Sequence, residues 1–334
     1  MNVTSGIPHA CTLPSLKFPT FMYHHRSWTV NCRYMWFYRE RTFNAKHQSM
    51  RQILHLVLII SLQLALSCKD SPKKSEAVKE TAITWETDFL DEFDTFNPDN
   101  WQDQRIWLNN ETQCYVPDGE FGTREVSDGT LKIKVVNVGQ KRPCDNLDKH
   151  GNQHPDTEYV AGRICSKNRK EFVKGRWTAR LRLSGNGEPS MFPAWWLLGA
   201  QNNEPPVQEA DENICWPLTG SGEIDIFEHH GDHMKDAFTT GAIVSLGECD
   251  KGDWESKRRN FPATLNEFHE YSVEWEGSDL VYRLDGEEVY RNEGEGDKYP
   301  EPMFAILNFA KITDSPMQGE WVMEVDWVKH EYLK

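Results

Sequence analysis

From Trp85 onward the chain reads as short strand-like runs separated by turns, and no long stretch keeps a helical period. The clearest runs are residues 131–136, 177–183, 238–246, 269–275, 280–284, 304–309 and 321–328. In the second of these Arg180 and Arg182 alternate with apolar neighbours, and Tyr282 and Leu284 do the same further on. Asp128-Gly129, Asp285-Gly286 and Gly277-Ser278 are hairpin turn signals. Many strands at this spacing predict an all-β sandwich of two sheets, of the jelly-roll kind.

One run breaks the alternation. Gly222-Glu223-Ile224-Asp225-Ile226-Phe227-Glu228-His229-His230 is a strand by composition, with Gly222 before it and Gly231 after it. In a regular pleat Glu223 and Asp225 share a face with Phe227, and Glu228 falls among the isoleucines. Burying that unpartnered charge is costly. A single bulge near Ile226-Phe227 returns Glu228 to the face of Glu223 and Asp225 and turns the apolar residues into a core. An acidic, solvated strand face is the plain alternative. A pair of carboxyl groups about 5–5.5 Å apart is what a retaining glycosidase uses, one as nucleophile and one as acid.

Composition narrows the classes. The chain has 334 residues, enough for one large core, and a formal net charge of −15. Nucleic acid and anionic membrane surfaces are therefore poor partners, while neutral polymers are not excluded. Residues 1–49 are basic, aperiodic and unlike the rest, which predicts an upstream extension with translation starting at Met50. Residues 50–68 have a short basic start, an apolar run over 53–66 and Ala65-Leu66-Ser67-Cys68, the pattern of a signal peptide with a bacterial lipobox. Lipidation at Cys68 would make the chain an exported lipoprotein of the cell envelope; a plain signal peptide is the alternative. Residues 69–82 read as a charged linker, leaving 83–334 as the folded domain. That domain holds Cys114, Cys144, Cys165, Cys215 and Cys249, an odd number, so at least one thiol is expected to be free. There is no C-x-x-C pair, and zinc is not expected.

The segment 222–228 resembles the bulged active-site signature of glycoside hydrolase family 16, which includes laminarinases, agarases and carrageenases. The flanks agree in order: Phe89-Leu90-Asp91-Glu92-Phe93, Asn109-Asn110-Glu111-Thr112-Gln113, Gly162-Arg163-Ile164, Gly175-Arg176-Trp177, Phe192-Pro193-Ala194-Trp195-Trp196-Leu197-Leu198-Gly199, Phe268-His269-Glu270-Tyr271 and Val325-Asp326-Trp327-Val328. The resemblance implies a concanavalin A-like jelly roll of two curved antiparallel sheets with a substrate cleft on the concave face. It implies Glu223 as nucleophile, Glu228 as general acid/base and Asp225 as helper, with no cofactor in the chemistry. Trp196 and Trp216 match sugar-stacking positions, and Asn109, Glu111 and Arg163 match polar cleft positions. Each has a plain structural alternative, core packing for the tryptophans and ion pairing for Arg163. Trp195 is expected in the core, and Trp107 and Tyr115 are left open. His229 and His230 either tune Glu228 or merely form the turn. Glu92 and Asp326 sit where many members hold a structural calcium.

The departures concern substrate. Phe192 replaces a tryptophan, residues 238–243 lack a histidine common in laminarinases, and residues 141–156 and 202–215 are inserted loops. Loops beside a cleft decide which polymer fits. The expected activity is endo-hydrolysis of β-1,3- or mixed β-1,3/1,4-glucan by a monomer. An agarase- or porphyranase-like galactan hydrolase is the second reading, and a non-catalytic carbohydrate-binding module the third.

Overall fold

Each expected hairpin turn closes on left-handed backbone. Asp128 and Gly129 (φ 56° and 73°) join β4 (Arg124–Ser127) to β5 (Thr130–Arg142). Gly277 (φ 59°) opens the link from β14 (His269–Glu276) to β15 (Asp279–Leu284). Asp285 and Gly286 (φ 51° and 83°) join β15 to β16 (Glu287–Asn292). Paired positive φ values match the right-handed twist of the flanking strands, and Asp and Gly tolerate them.

The computed structural model describes residues 84–185, 189–249 and 251–334. The expectations for residues 1–82, including the extension, the signal, Cys68 and the linker, lie outside the described residues. The strands form two sheets. The first is ordered β16-β15-β14, then β9 (Gly175–Ser184), β18 (Trp321–Leu333), β5, β6 (Thr157–Ala161) and β3 (Cys114–Tyr115), with β1 (Trp85–Asp91) on β18 and β4 on β5. The second is ordered β13 (Trp254–Pro262), β12 (Ala237–Ser245), β11 (Glu223–Glu228), β10 (Met191–Gly199), β17 (Met303–Lys311), β7 (Arg163–Cys165) and β2 (Gln102–Asp103), with β8 (Glu171–Phe172) on β17. All pairings are antiparallel except β3 with β6. The helical elements among the described residues are two short 3-10 turns. The all-β sandwich expected from the sequence is what forms.

Alternation fills the space between the sheets. Leu181, Ala179 and Trp177 of β9 meet Trp195 and Leu197 of β10 in one buried cluster, with Ile224, Ile226 and Phe227 of β11. Trp177 and Trp195 meet edge to face at 5.9 Å, a favourable geometry for ring quadrupoles. Trp195 is completely buried, whereas its neighbour Trp196 points to the outer face of the second sheet, against Cys165, Leu198, Phe304 and Ile306. Adjacent tryptophans thus have separate roles. Trp195→Ala is expected to cost about 3–5 kcal/mol in a denaturant melt by leaving a core cavity. Trp196→Ala should cost well under that, because its ring is only partly buried.

Two disulfides tie loops to the frame. Cys114–Cys144 joins β3 to the inserted loop 141–156, and Cys215–Cys249 closes the inserted loop 202–215. Among the described residues Cys165 is the free thiol, buried in the sheet.

Candidate active site

The bulge is present, and it lies at Ile226-Phe227. On the β10 side Trp195 pairs with Phe227 and Trp196 with Asp225, so Ile226 has no partner. On the β12 side Asp225 pairs with Gly241 and Glu228 with Thr239. The Thr240 hydroxyl donates to the Asp225 carbonyl at 2.9 Å, satisfying an acceptor where the ladder slips. Ile226 and Phe227 therefore both enter the core, at 1% and 0% exposure, and Glu228 joins Glu223 and Asp225 on the outer face.

Register then sets what faces the acids, because directly opposed residues share a face. One row across the sheet is Arg163, Asn308, Ala194, Glu228, Thr239, Asn260. The next is Cys165, Ile306, Trp196, Asp225, Gly241, Arg258. A third runs Phe304, Leu198, Glu223, Ile243, Ser256. From β7 to β13 the first two rows cross five strand gaps of about 4.8 Å, roughly 24 Å. That length suits a chain of sugars better than one.

Arg258 joins the acids directly. One guanidinium nitrogen lies 3.0 Å from an Asp225 carboxylate oxygen and 2.8 Å from one of Glu228. Burial and the charge of Asp225 push Glu228 up to about 8, against the pull of Arg258. Burial also raises Asp225, which Arg258 opposes. Glu223 keeps part of its surface open to the groove, yet protein crowds its carboxyl. That crowding, then Asp225 and Glu228, holds it well above the ordinary carboxylate range. The Trp216 N–H favours its charged form from nearby, although the contact misses hydrogen-bond geometry and the buried N–H stays unpaired. Behind Glu223, the Tyr299 hydroxyl donates to the Ile243 carbonyl at 2.7 Å.

A raised carboxyl pKa carries a stability cost with a definite sign. Glu228 binds its proton more tightly folded than unfolded, so stability is lost as pH rises from about 4.5 toward about 8. Glu228→Gln cannot ionise and is expected to be more stable than the wild type at pH ~8.5, with the gap closing near pH ~4.5. Paired melting curves across that range check it.

The other predicted residues divide. Glu111, Arg163 and Trp196 come together at the β7 side of the groove. Arg163 is 2% exposed and donates to Gln104 at 2.6 Å, its guanidinium carbon is 5.1 Å from the Trp196 ring centre, and Glu204 faces it at 3.6 Å. Burial raises Glu111, opposed by Arg163, and Gln113 donates to it at 2.7 Å. Trp196 donates to Asn308 at 2.8 Å. Trp216 packs against the same small apolar cluster as Trp196, edge-on to Trp254 at 5.3 Å and beside Glu223. Asn109 lies apart, exposed on a left-handed turn (φ 48°). Trp107 donates to the Glu111 carbonyl at 3.0 Å, and Tyr115 is buried. His229 bonds the Ala237 carbonyl at 2.8 Å, and His230 packs on Phe192 at 4.2 Å. Glu92 is exposed just beyond β1, and the Asp326 carboxylate is paired with Arg180 across the first sheet. A cation at Asp326 would have to compete with that guanidinium.

Sequence reading missed Arg258 and Glu204. Their signal lay in long-range pairing, Arg258 two strands away from the acids and Glu204 inside an inserted loop. A cavity of about 560 Å³ lies beyond Glu228; His229, Met191 and Asp232 line it, and none of the three acids does. His230, Asp232 and His233 bring ligand atoms within 4.8 Å of one another at its edge.

The sequence model of glycosyl hydrolases family 16 matches residues 125–329, more than half of the chain. A beta-glucanase of Rhodothermus marinus is 27% identical over 252 residues, spanning 69% of this chain and 77% of the relative. The glucan endo-1,3-beta-glucosidase A1 of Niallia circulans is 25% identical over 222 residues, but the match spans only 28% of that longer protein. Among solved structures, LamAcat from Zobellia galactanivorans superposes with a TM-score of 0.61 at 29% identity, covering 74% of this chain and 97% of that one. A LamA variant from the same organism, in complex with laminaritriose and laminaritetraose, superposes with a TM-score of 0.60 at 28% identity, covering 75% of this chain and 99% of that one. With the bulged acid strand at its centre and these matches around it, the chain is a glycoside hydrolase and belongs to glycosyl hydrolases family 16.

Proposed function

We propose that this chain is a retaining, endo-acting β-glucanase that cleaves β-1,3- or mixed β-1,3/1,4-glucan. The observation that carries the chemistry is the bulge at Ile226-Phe227, which puts Glu223, Asp225 and Glu228 on one face above a groove five strand gaps long. The names of the relatives support the glucan, and so does a groove that offers tryptophans and planar polar groups to sugar rings.

In the first step a Glu223 oxygen attacks the anomeric carbon as the bond to the leaving oxygen breaks, and Glu228 gives that oxygen its proton. A Glu228 raised to about 8 is protonated at neutral pH, as an acid must be. The attack needs Glu223 ionised; burial and the neighbouring acids oppose that form, and the charge of Arg258 and the Trp216 N–H favour it. In the second step Glu228 takes a proton from water, whose oxygen displaces Glu223 from the anomeric carbon and restores both carboxyls. Asp225 stands between them and accepts a hydrogen bond from Arg258, which favours its charged form against burial. Reducing-sugar release from laminarin, lichenan and agarose, measured side by side, tests the substrate. Hydrolysis of agarose alone overturns the glucan reading in favour of a galactanase. Release of the β-anomer first, seen by proton NMR, tests retention.

Export as a lipoprotein anchored at Cys68 accords with two disulfides in the domain, which an oxidising compartment permits. Loss of membrane fractionation in Cys68→Ser tests the anchor. Calcium added to chelator-treated protein tests Glu92 and Asp326: a raised melting temperature supports the assignment, and none removes it.

A further inference from the structure

Asp225, Gly241 and Arg258 stand directly opposite one another on β11, β12 and β13. A side chain at the middle position would run into the β13 main chain. None is there. The backbone at Gly241 has φ +145°, and a Cβ would come within 2.3 Å of the Lys257 carbonyl oxygen and 2.6 Å of the Arg258 Cα. Arg258 passes over this slot to reach two of the three acids, while its Nε–H donates to the Ser256 hydroxyl at 3.0 Å. A guanidinium held at its root in this way has a fixed plane.

We propose that Arg258 is the positioning residue of the acid cluster: reaching across the slot at Gly241, it holds the Glu228 carboxyl beside Asp225, where the leaving oxygen is to be protonated. The inference rests on the catalytic reading of Glu223 and Glu228. The charged and titratable groups facing Arg258 are Asp225, Glu228 and Glu223 on β11, with His230 just beyond the strand end. β10 and β12 contribute no titratable side chain. On β13 itself, Lys257 is paired with Glu295 and Arg259 lies over Tyr290, away from the acids.

Arg258 favours the ionised form of all three acids. Without it, Glu223 holds its proton to higher pH and so does Glu228. Both limbs of the pH profile of kcat/KM should therefore move upward. The test uses Arg258→Met and Arg258→Lys on whichever polysaccharide the wild type cleaves. In Arg258→Met both limbs are expected to rise by about one pH unit or more, with kcat at the wild-type optimum roughly tenfold or more lower. Arg258→Lys restores the charge but not the two-point geometry, so its limbs return toward wild type while kcat stays low. Limbs that stay in place in Arg258→Met, with or without an activity loss uniform across pH, overturn the proposal. If Arg258→Met does not fold, Arg258→Lys decides: wild-type kcat in that variant overturns it. Failure of the underlying reading shows separately, as Glu223→Gln retaining hydrolysis with Arg258 intact.

Discussion

Glu223→Gln is expected to lower kcat by roughly 10⁴-fold or more with little change in fold or KM, because an amide cannot form the glycosyl-enzyme bond. The residue is half-open to the groove at the start of β11, and Gln matches its shape, so the loss reports chemistry and not packing. Exogenous azide separates the two acids. With Glu223 cut back to Gly, azide entering its place should give a glycosyl azide of inverted configuration. With Glu228→Ala, the first step survives on an activated leaving group, and azide attack on the glycosyl-enzyme should give the retained product. Exchanged outcomes would reverse the roles of the two glutamates, and unimpaired hydrolysis by Glu223→Gln would remove the mechanism.

The second large effect is on stability. Lys167 has no exposed surface; its ammonium is 2.8 Å from a Glu212 carboxylate oxygen and donates to the carbonyls of Asn202 at 2.5 Å and Glu204 at 3.0 Å. Glu212 in turn accepts from Asn168 at 2.8 Å and from the Glu209 backbone at 2.7 Å. This one cation fastens the inserted loop that leads to Trp216. Lys167→Met leaves Glu212 buried without its partner and is expected to cost about 3–5 kcal/mol in a denaturant melt. It should also raise KM, since the loop places Glu204 against Arg163. Lys167→Met combined with Glu212→Gln removes the orphaned charge and should cost less than the single change. A double variant that costs as much as the two singles together would show that the ion pair does not anchor the loop.

The residues most legible in the sequence were those governed by local period. Alternation around Arg180 and Arg182 fixed the inner face of β9, and Asp128-Gly129 and Asp285-Gly286 closed as hairpins because few other dipeptides accept paired positive φ. The bulge was also local in origin, since a strand that reads E-I-D-I-F-E can send its apolar residues into the core and gather its acids on the other face only by slipping one residue. Trp195 and Trp196 separated into core and groove for the same reason of period two. Asn109 shows the limit of motif reading: it sits in the resembling segment with Glu111, yet the turn carries it out to solvent while Glu111 goes in.

What the sequence by itself determined was therefore the sandwich, the hairpins and, through one bulge that breaks the two-residue repeat to bury Ile226 and Phe227 together, the placing of Glu223, Asp225 and Glu228 on one face, because side-chain direction in a strand is a local property. Only the tertiary structure decided that Arg258 crosses Gly241 to reach those acids, that Glu204 meets Arg163 and that Lys167 fastens an inserted loop. Those contacts depend on which strands lie side by side and in what register, and that is settled by packing the whole core.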